Sequence, residues 1–341
     1  MQLTVVLDSN VWLNEQMLRQ SLGSAVRFYL RRHNARVVVP EVVRLEVELH
    51  LEKDLKELTS KLREGHKQLL GLVGQLKEQI LPTDDDLTKI ALSAFANAGI
   101  EISEVPFSLE SARSSLEKII RSEPPSGPKN QQFKDGVIWA DCLKLANDSP
   151  VLFVTQDKAF YKDREYKNGL AENLANEAMN VKYEISIAHD IRSILERIAE
   201  PVRVDYSVLH DVYFPTIKDE AEKLIGSEGY TLGDLLSGEH SAFATDDPKI
   251  GYVEFSLRYR CVHPTQSDGF FVAKGKCLLD SATGELSDFQ NRGEEFQFIN
   301  SEGEQKKRIV SLYDANIVIG HRLVQHSVRA ALDVKPEGAK G

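Results

Sequence analysis

Four acidic residues lie at the ends of short apolar runs or on the helical stretches beside those runs. They are Asp8, Glu46, Asp135 and Asp157. If the runs are neighbouring strands of an open parallel sheet, their carboxyl ends share one edge, where ligands bind in folds of this kind. Four carboxylates would then converge on one cleft. Such a cluster is the usual way to hold Mg²⁺ or Mn²⁺ for phosphodiester chemistry.

Each of these acids also has a structural explanation when it is taken alone. Asp8 and Asp157 could cap the helices that follow them, and Glu46 could lie on a solvated helix face. An apolar stripe beside Glu46 favours a position at the edge of the buried face; the stripe is Val42, Leu45 and Leu49. Phosphatases with a nucleophilic Asp need a second Asp two residues on, where this chain has Asn10. We keep Asn10 as a supporting residue.

Other polar residues near the four acids are candidates for supporting roles. Thr155 could donate a hydrogen bond to a carboxylate or a water, and Lys158 could contact a phosphate. On helical geometry, Asp141 points about 120–180° away from Asp135, so it is a weaker ligand candidate and fits a salt bridge or an outer position. His50 lies one helical turn after Glu46 and is expected at the surface.

Basic and aromatic residues near the predicted cleft are candidates for contacts with a nucleic acid. The basic ones are Arg31, Arg32, Lys129, Lys134 and Lys158. Trp12 and Phe160 could stack on bases, although core packing is the more common role of such aromatic side chains.

Strands alternate with helices along the first 200 residues, and this alternation predicts a parallel sheet flanked by helices. The strands are expected at 3–7, 36–39, 151–155 and 181–185, with a brief candidate at 100–102. The helices are expected at 15–33, from 41 onward, and at 84–98, 108–121, 133–147, 169–178 and 188–198. We interpret 52–120 as a helical insertion, either an ordinary hairpin or an arm that clamps substrate or forms a homodimer.

The pattern changes near Pro201 to alternating apolar and polar residues, which is typical of half-buried antiparallel strands. We therefore predict a smaller, sheet-rich α+β domain over 201–334. Its strands are expected at 252–260, 271–279 and 296–299, its helices at 216–236 and 311–333, and a loose tail at 335–341.

The composition limits the class of protein. A net charge of −10 argues against non-specific coating of DNA, but not against a nuclease whose metal ions supply positive charge. Cys142, Cys261 and Cys277 have no metal-binding spacing and are expected to be reduced. The absence of an apolar leader or a membrane-length run predicts a cytoplasmic protein that does not enter membranes.

The four acids, in this order and on these elements, resemble those of the PIN domain nucleases. The resemblance covers about residues 1–198 and is closest to a larger branch of that family. It implies a Rossmann-like sheet over 1–200 and a ribonuclease for single-stranded RNA. It also implies Mg²⁺ or Mn²⁺ at Asp8, Glu46, Asp135 and Asp157.

The resemblance leaves the biological role open. Many relatives are toxins held by an antitoxin, so an inhibitor protein is an expected partner, although such toxins are typically single small domains. Two alternatives remain: a non-catalytic binding or sensor protein on the same fold, and a structure-specific DNA nuclease.

Overall fold

The computed structural model describes residues 2–77, 80–200, 206–299 and 302–310. The chain divides into two compact units, the first ending at Ile198 and the second beginning at Ala199. Each unit contains one five-stranded sheet.

The first unit is built on a parallel sheet in the order β3-β2-β1-β4-β5. Its strands are β1 (Thr4–Leu7), β2 (Arg36–Pro40), β3 (Ile102–Val105), β4 (Val151–Val154) and β5 (Ile185–Ala188). The central strands β1 and β4 are buried along their whole length. This burial explains why their sequences are unbroken apolar runs. The predicted α/β fold class is confirmed.

Eight α-helices connect or flank these strands in the described part of the first unit. They are α1 (Ser9–Asn14), α2 (Ser21–Arg32), α3 (Glu41–Val73), α4 (Asp84–Leu92), α5 (Leu109–Arg121), α6 (Phe133–Leu145), α7 (Glu172–Ala178) and α8 (Arg192–Ile198). Helix α3 follows β2 at Pro40, and a Thr83 capping box begins α4. Helices α5 and α6 pack against each other, and α4 packs against α3.

Several details of the first unit differ from the sequence predictions. The helix expected over 15–33 begins only at Ser21, as α2, because residues 16–18 form an irregular turn in which Met17 has a positive φ. Helix α1 ends at Asn14, before the predicted start. Strand β5 begins at Ile185, where it pairs with Val151, rather than ending there. The segment 52–120 is not wholly helical, because it contains β3, which is hydrogen-bonded to β2.

The apolar stripe predicted on α3 is wrong. Val43 and Val47 are buried, whereas Leu45 and Leu49 are 51% and 66% exposed. The sequence shows two apolar sets on this helix, and only contact with the rest of the unit decides which one is covered. Glu46 is still half-buried, between the two faces.

In the residues that the structure describes, the second unit is an antiparallel sheet in the order β10-β9-β8-β7-β6 with helix α9 (Tyr206–Gly226). Its strands are β6 (Thr231–Ala244), β7 (Ile250–Val262), β8 (Gly269–Asp280), β9 (Leu286–Ile299) and β10 (Gln305–Val310). Alternate residues of β7 and β8 face α9 and form a separate core with Tyr213 and Ile217. The prediction of a sheet-rich α+β unit is confirmed.

The helix predicted over 216–236 is wrong in its second half, because α9 ends at Gly226 and β6 begins at Thr231. Register shifts between Leu232 and Ser237 interrupt the alternation that would have indicated a strand. The predicted helix at 311–333 and the tail at 335–341 lie outside the described residues.

Two expectations from the composition can be compared with the structure. Cys142, Cys261 and Cys277 are buried and none forms a disulfide bond. In the part of the chain that the structure describes, no helix has both the length and the apolar character needed to cross a bilayer.

Candidate active site

Asp8 lies at the carboxyl end of β1 and caps helix α1. Its backbone N–H donates to the carbonyl of Val154 at 2.9 Å, which joins the ends of the two central strands. The buried carboxylate accepts hydrogen bonds from Ser9 N–H at 2.7 Å and from the Thr155 hydroxyl at 2.6 Å. Burial raises the pKa of the Asp8 carboxyl, and the nearby charge of Glu46 raises it further. The hydrogen bonds from Thr155 and Ser9 oppose this rise.

Asn10 and Thr155 lie where the sequence analysis placed its supporting residues. The Asn10 amide donates to Asp8 Oδ2 at 3.1 Å, and its oxygen accepts from the Gln156 backbone at 3.4 Å. Thr155 is fully buried and its hydroxyl also accepts from the Asp157 backbone N–H at 3.0 Å. These bonds fix the loop after β4 against the loop after β1.

Glu46 reaches the same place from the second turn of α3. Its Oε2 accepts a hydrogen bond from the Ser9 hydroxyl at 3.0 Å, and its Oε1 forms an ion pair with Lys134. His50 Nε2 lies 3.9 Å from Oε1, and this side chain is half exposed, as expected. Glu46 is therefore linked to Asp8 through Ser9, a residue whose role the sequence analysis missed.

Asp157 caps the short 3-10 turn that follows β4. Its Oδ1 accepts from Ala159 N–H at 2.7 Å, and its Oδ2 accepts from the Gln132 amide at 3.3 Å. Gln132 immediately precedes α6, the helix that carries Asp135. The contact with Gln132 was also missed, because no local pattern marks an amide that reaches across from another loop.

Asp135 lies in the first turn of α6, close enough to the other three acids for their charges to act on it. Its pKa is raised to about 7, first by burial and then by the charges of Asp8, Asp157 and Glu46, with Lys134 acting in the opposite direction. Within the described residues, its carboxylate accepts no hydrogen bond. Three like charges acting on one half-buried group mean that the four acids face a common space.

The four acids do not reach ligand distance of one another in this structure. Among the described residues, no three His, Cys, Asp or Glu side chains form a group that could hold a metal ion. Glu46 is instead engaged by Ser9 and Lys134. The donor set consists of carboxylate oxygens, which suit Mg²⁺ or Mn²⁺.

The remaining candidates lie away from the acids. Asp141 is buried on the far side of α6, where it accepts from the Ser111 hydroxyl at 2.7 Å, and burial raises its pKa. This agrees with the expected orientation away from Asp135. The ammonium group of Lys158 lies 5.4 Å from the centre of the Tyr166 ring.

Two groups of candidate nucleic-acid contacts do not lie at the cleft, and for Trp12 and Phe160 the role in core packing that the sequence favoured is confirmed. Arg31 and Arg32 end α2, which leads into the amino end of β2, so they lie at the opposite edge of the sheet from the acids. Trp12 and Phe160 are fully buried and pack edge-on against Phe95 and Phe153. Lys134, by contrast, lies at the cleft beside Glu46.

The first unit is thus a parallel α/β domain with four acids around one cleft at the carboxyl edge of its sheet. The family model described as a PIN domain matches residues 5–160, which lie within the first unit. That match supports nuclease character in general terms. The family comparison does not recognise the second unit. Neither the curated proteins nor the solved structures contain a match to this chain.

Proposed function

We propose that the first unit is a divalent-metal-dependent endoribonuclease that cleaves single-stranded RNA. The observation that supports it best is the convergence of Asp8, Asp157 and Glu46 on Asp135. Burial is the main reason why the pKa of Asp135 is raised to about 7, and the charges of the three other acids add to the rise. Two like charges about 4 Å apart repel by about 4 kcal/mol at an effective dielectric near 20, so such a cluster costs stability unless a cation compensates it. The PIN match over 5–160 favours a nuclease site as the explanation for a carboxylate cluster that destabilises the fold.

In this proposal, Asp8 and Asp157 bind the metal directly, while Glu46 and Asp135 bind it directly or through water. The metal supplies an activated water and neutralises charge on the phosphate in the transition state. Thr155 and Asn10 hold the Asp8 carboxylate in one orientation.

Asp135 and Lys134 have separate tasks. The carboxylate of Asp135, with no hydrogen bond from the described residues, is available to orient the attacking water. Lys134 lies beside Glu46 at the cleft, where its ammonium group would contact a phosphate oxygen of the bound RNA.

The test is cleavage of labelled single-stranded RNA and single-stranded DNA by the purified full-length protein, with Mn²⁺, with Mg²⁺ or with a chelator. We expect cleavage of RNA that requires metal, and a loss of at least about a hundredfold in the Asp8→Asn variant. Asp148→Asn is the matched control, because Asp148 is exposed and lies on no element of the site.

Each alternative outcome has a clear meaning. A folded Asp8→Asn variant that cuts RNA at the parent rate would contradict the assignment. Cleavage of DNA alone would support the structure-specific DNA nuclease instead. RNA binding without cleavage under any metal condition would support the non-catalytic protein. Thermal unfolding of both variants establishes that the fold is retained.

A further inference from the structure

A cavity of about 620 Å³ opens beside the acid cluster. One wall is the loop 124–127 with Asn130, and the other is the chain 159–164 with the first turns of α7. We call it the Pro124 cavity. Its volume falls in the range of small-molecule sites and is large enough for one nucleotide.

Both walls of the Pro124 cavity are attached to Asp157. On one side, the Ser126 hydroxyl accepts from Gln132 N–H at 3.0 Å, and the Gln132 amide donates to Asp157 Oδ2 at 3.3 Å. On the other side, Ala159 N–H donates to Asp157 Oδ1 at 2.7 Å. The cavity therefore adjoins the proposed metal site, and a chain bound across that site would meet it next.

The lining carries groups that have no partner of their own. Lys162 and Arg164 are exposed, and neither side chain forms an ion pair or hydrogen bond with the rest of the described chain. The side-chain amides of Asn130 and Asn176 are likewise unbonded to any described residue. Two free cations suit phosphate oxygens, and each amide offers both a donor and an acceptor to a base edge.

The backbone of this wall is held in an unusual conformation. Asp163 and Arg164 have φ angles of 54° and 57°, in the left-handed region that non-glycine residues rarely adopt. Two consecutive strained residues persist only where surrounding contacts impose them, and such residues concentrate at ligand sites. Hydrogen bonds of Lys162 N–H to Gly169 and of Asn168 to the Asp163 carboxylate hold the turn.

We infer that the Pro124 cavity binds one nucleotide of the RNA, next to the phosphate that is cleaved. Lys162 and Arg164 contact its phosphate, and Asn130 and Asn176 contact the base edge. Apolar residues of the lining, among them Pro124 and Ala171, lie against the face of the base. Asp163 and Glu172 also line the cavity and confine the phosphate to the Lys162 and Arg164 side. This inference rests on the proposed function and adds a subsite to it.

The first test compares two double variants with the same change of net charge. One is Lys162→Ala with Arg164→Ala, and the control is Lys167→Ala with Lys182→Ala, two exposed lysines outside the cavity. Binding of a labelled single-stranded RNA of about twelve nucleotides is measured by fluorescence anisotropy with a chelator. We expect the cavity variant to bind about tenfold more weakly and the control to change by less than about twofold. Equal losses in the two variants would overturn the inference.

The second test locates the base. Abasic residues are placed at each position of the same RNA, and one position is expected to lower affinity for the parent protein by about tenfold. In the Asn130→Ala, Asn176→Ala variant that position should lose its effect. An abasic effect of unchanged size in this variant contradicts the inference.

Cleavage with Mn²⁺ separates the two proposals. If the parent cuts RNA but neither test affects binding, the cavity inference fails and the proposed function stands. If both tests succeed but no RNA is cut, the proposed function fails and the RNA subsite stands.

Discussion

Asp8 and Asp135 illustrate two ways of keeping a carboxylate in a partly closed site. Asp8 is buried but receives hydrogen bonds from Thr155, Ser9 and Asn10, which stabilise its ionised form. Asp135 receives none from the described residues and faces three like charges. The hydrogen bonds thus stabilise the ionised form of Asp8, whereas binding of a proton or a cation would stabilise Asp135.

This difference predicts how stability depends on pH. Because the pKa of Asp135 is raised from 3.8 to about 7 in the folded state, the folded protein holds a proton that the unfolded chain has already released. The charge of Asp135 therefore does not destabilise the folded protein below about pH 4. The destabilisation grows as pH rises and is complete above about pH 7. Its upper limit is about 4 kcal/mol, and solvent screening reduces it.

We expect Asp135→Asn to stabilise the metal-free protein at about pH 8, by about 2 kcal/mol, and to change it little at about pH 4. The measurement is urea unfolding of the variant and parent with a chelator at both pH values. Asp148→Asn, at an exposed position, should give no such difference. A variant equally stable or less stable than the parent at about pH 8 would refute the electrostatic account.

The acids themselves could be identified from the sequence, since each lies in a short local pattern next to a strand or in the first turns of a helix. Their hydrogen-bond partners could not. Ser9 bridges to Glu46 on α3, and Gln132 reaches Asp157 from the loop before α6. Such contacts depend on how separate elements are placed, which local spacing does not encode.

At the scale of elements, the order of strands and helices was predictable, but the orientation of single faces was not. An unbroken apolar run such as 151–154 indicates a strand that is buried on both faces of a parallel sheet. Helix α3 carries apolar residues on more than one face, and its contacts with the rest of the unit determine that Val43 and Val47 are covered rather than Leu45 and Leu49. The placement of Arg31 and Arg32 failed because α2 ends at the amino edge of the sheet.

The packing of α5 on α6 depends on the glycine that follows Asp135. A Cβ at Gly136 would lie 2.8 Å from the Cβ of Ser115 and 3.0 Å from its Cα. Ser115 is not free to retreat, because its hydroxyl donates to the Phe133 carbonyl at 2.6 Å. The sequence Lys-Asp-Gly-Val therefore combines the acid with the close contact that positions its helix.

We expect Gly136→Ala to destabilise the protein by about 1–3 kcal/mol, since α5 must move away from α6. Gly65→Ala is the matched control: Gly65 lies in α3 with nothing within 4 Å of the added Cβ. That substitution should instead stabilise by about 0.5–1 kcal/mol through helix propensity. Chemical denaturation of both variants measures the two changes. If both substitutions changed the free energy of unfolding in the same direction, the contact with Ser115 would not be what restricts residue 136.

At the scale of the whole molecule, the two units are built on different principles. The first has a parallel sheet with strand ends gathered at one edge, and the second has an antiparallel meander with a core under α9. Each sheet takes its strands from one unit only. Sequence patterning could predict this division, because the apolar runs of the first unit give way to alternation in the second. It could not predict a role for the second unit, for which no motif and no family match points to a chemistry.

The division predicts that the first unit carries the whole catalytic apparatus. Every acid of the site, the three residues that hydrogen-bond to Asp8, and the lining of the Pro124 cavity lie before Ile198. A fragment of residues 1–198 contains all five strands of its sheet and its own buried core. We therefore expect this fragment to unfold in a single cooperative transition and to cut a short RNA, with Mn²⁺, at the rate of the full-length chain. The measurements are thermal unfolding and single-turnover cleavage, with Asp8→Asn in the fragment as the inactive control. A folded fragment that binds the RNA normally but does not cut it would mean that the second unit supplies part of the catalytic site, since stability and substrate binding would both be intact.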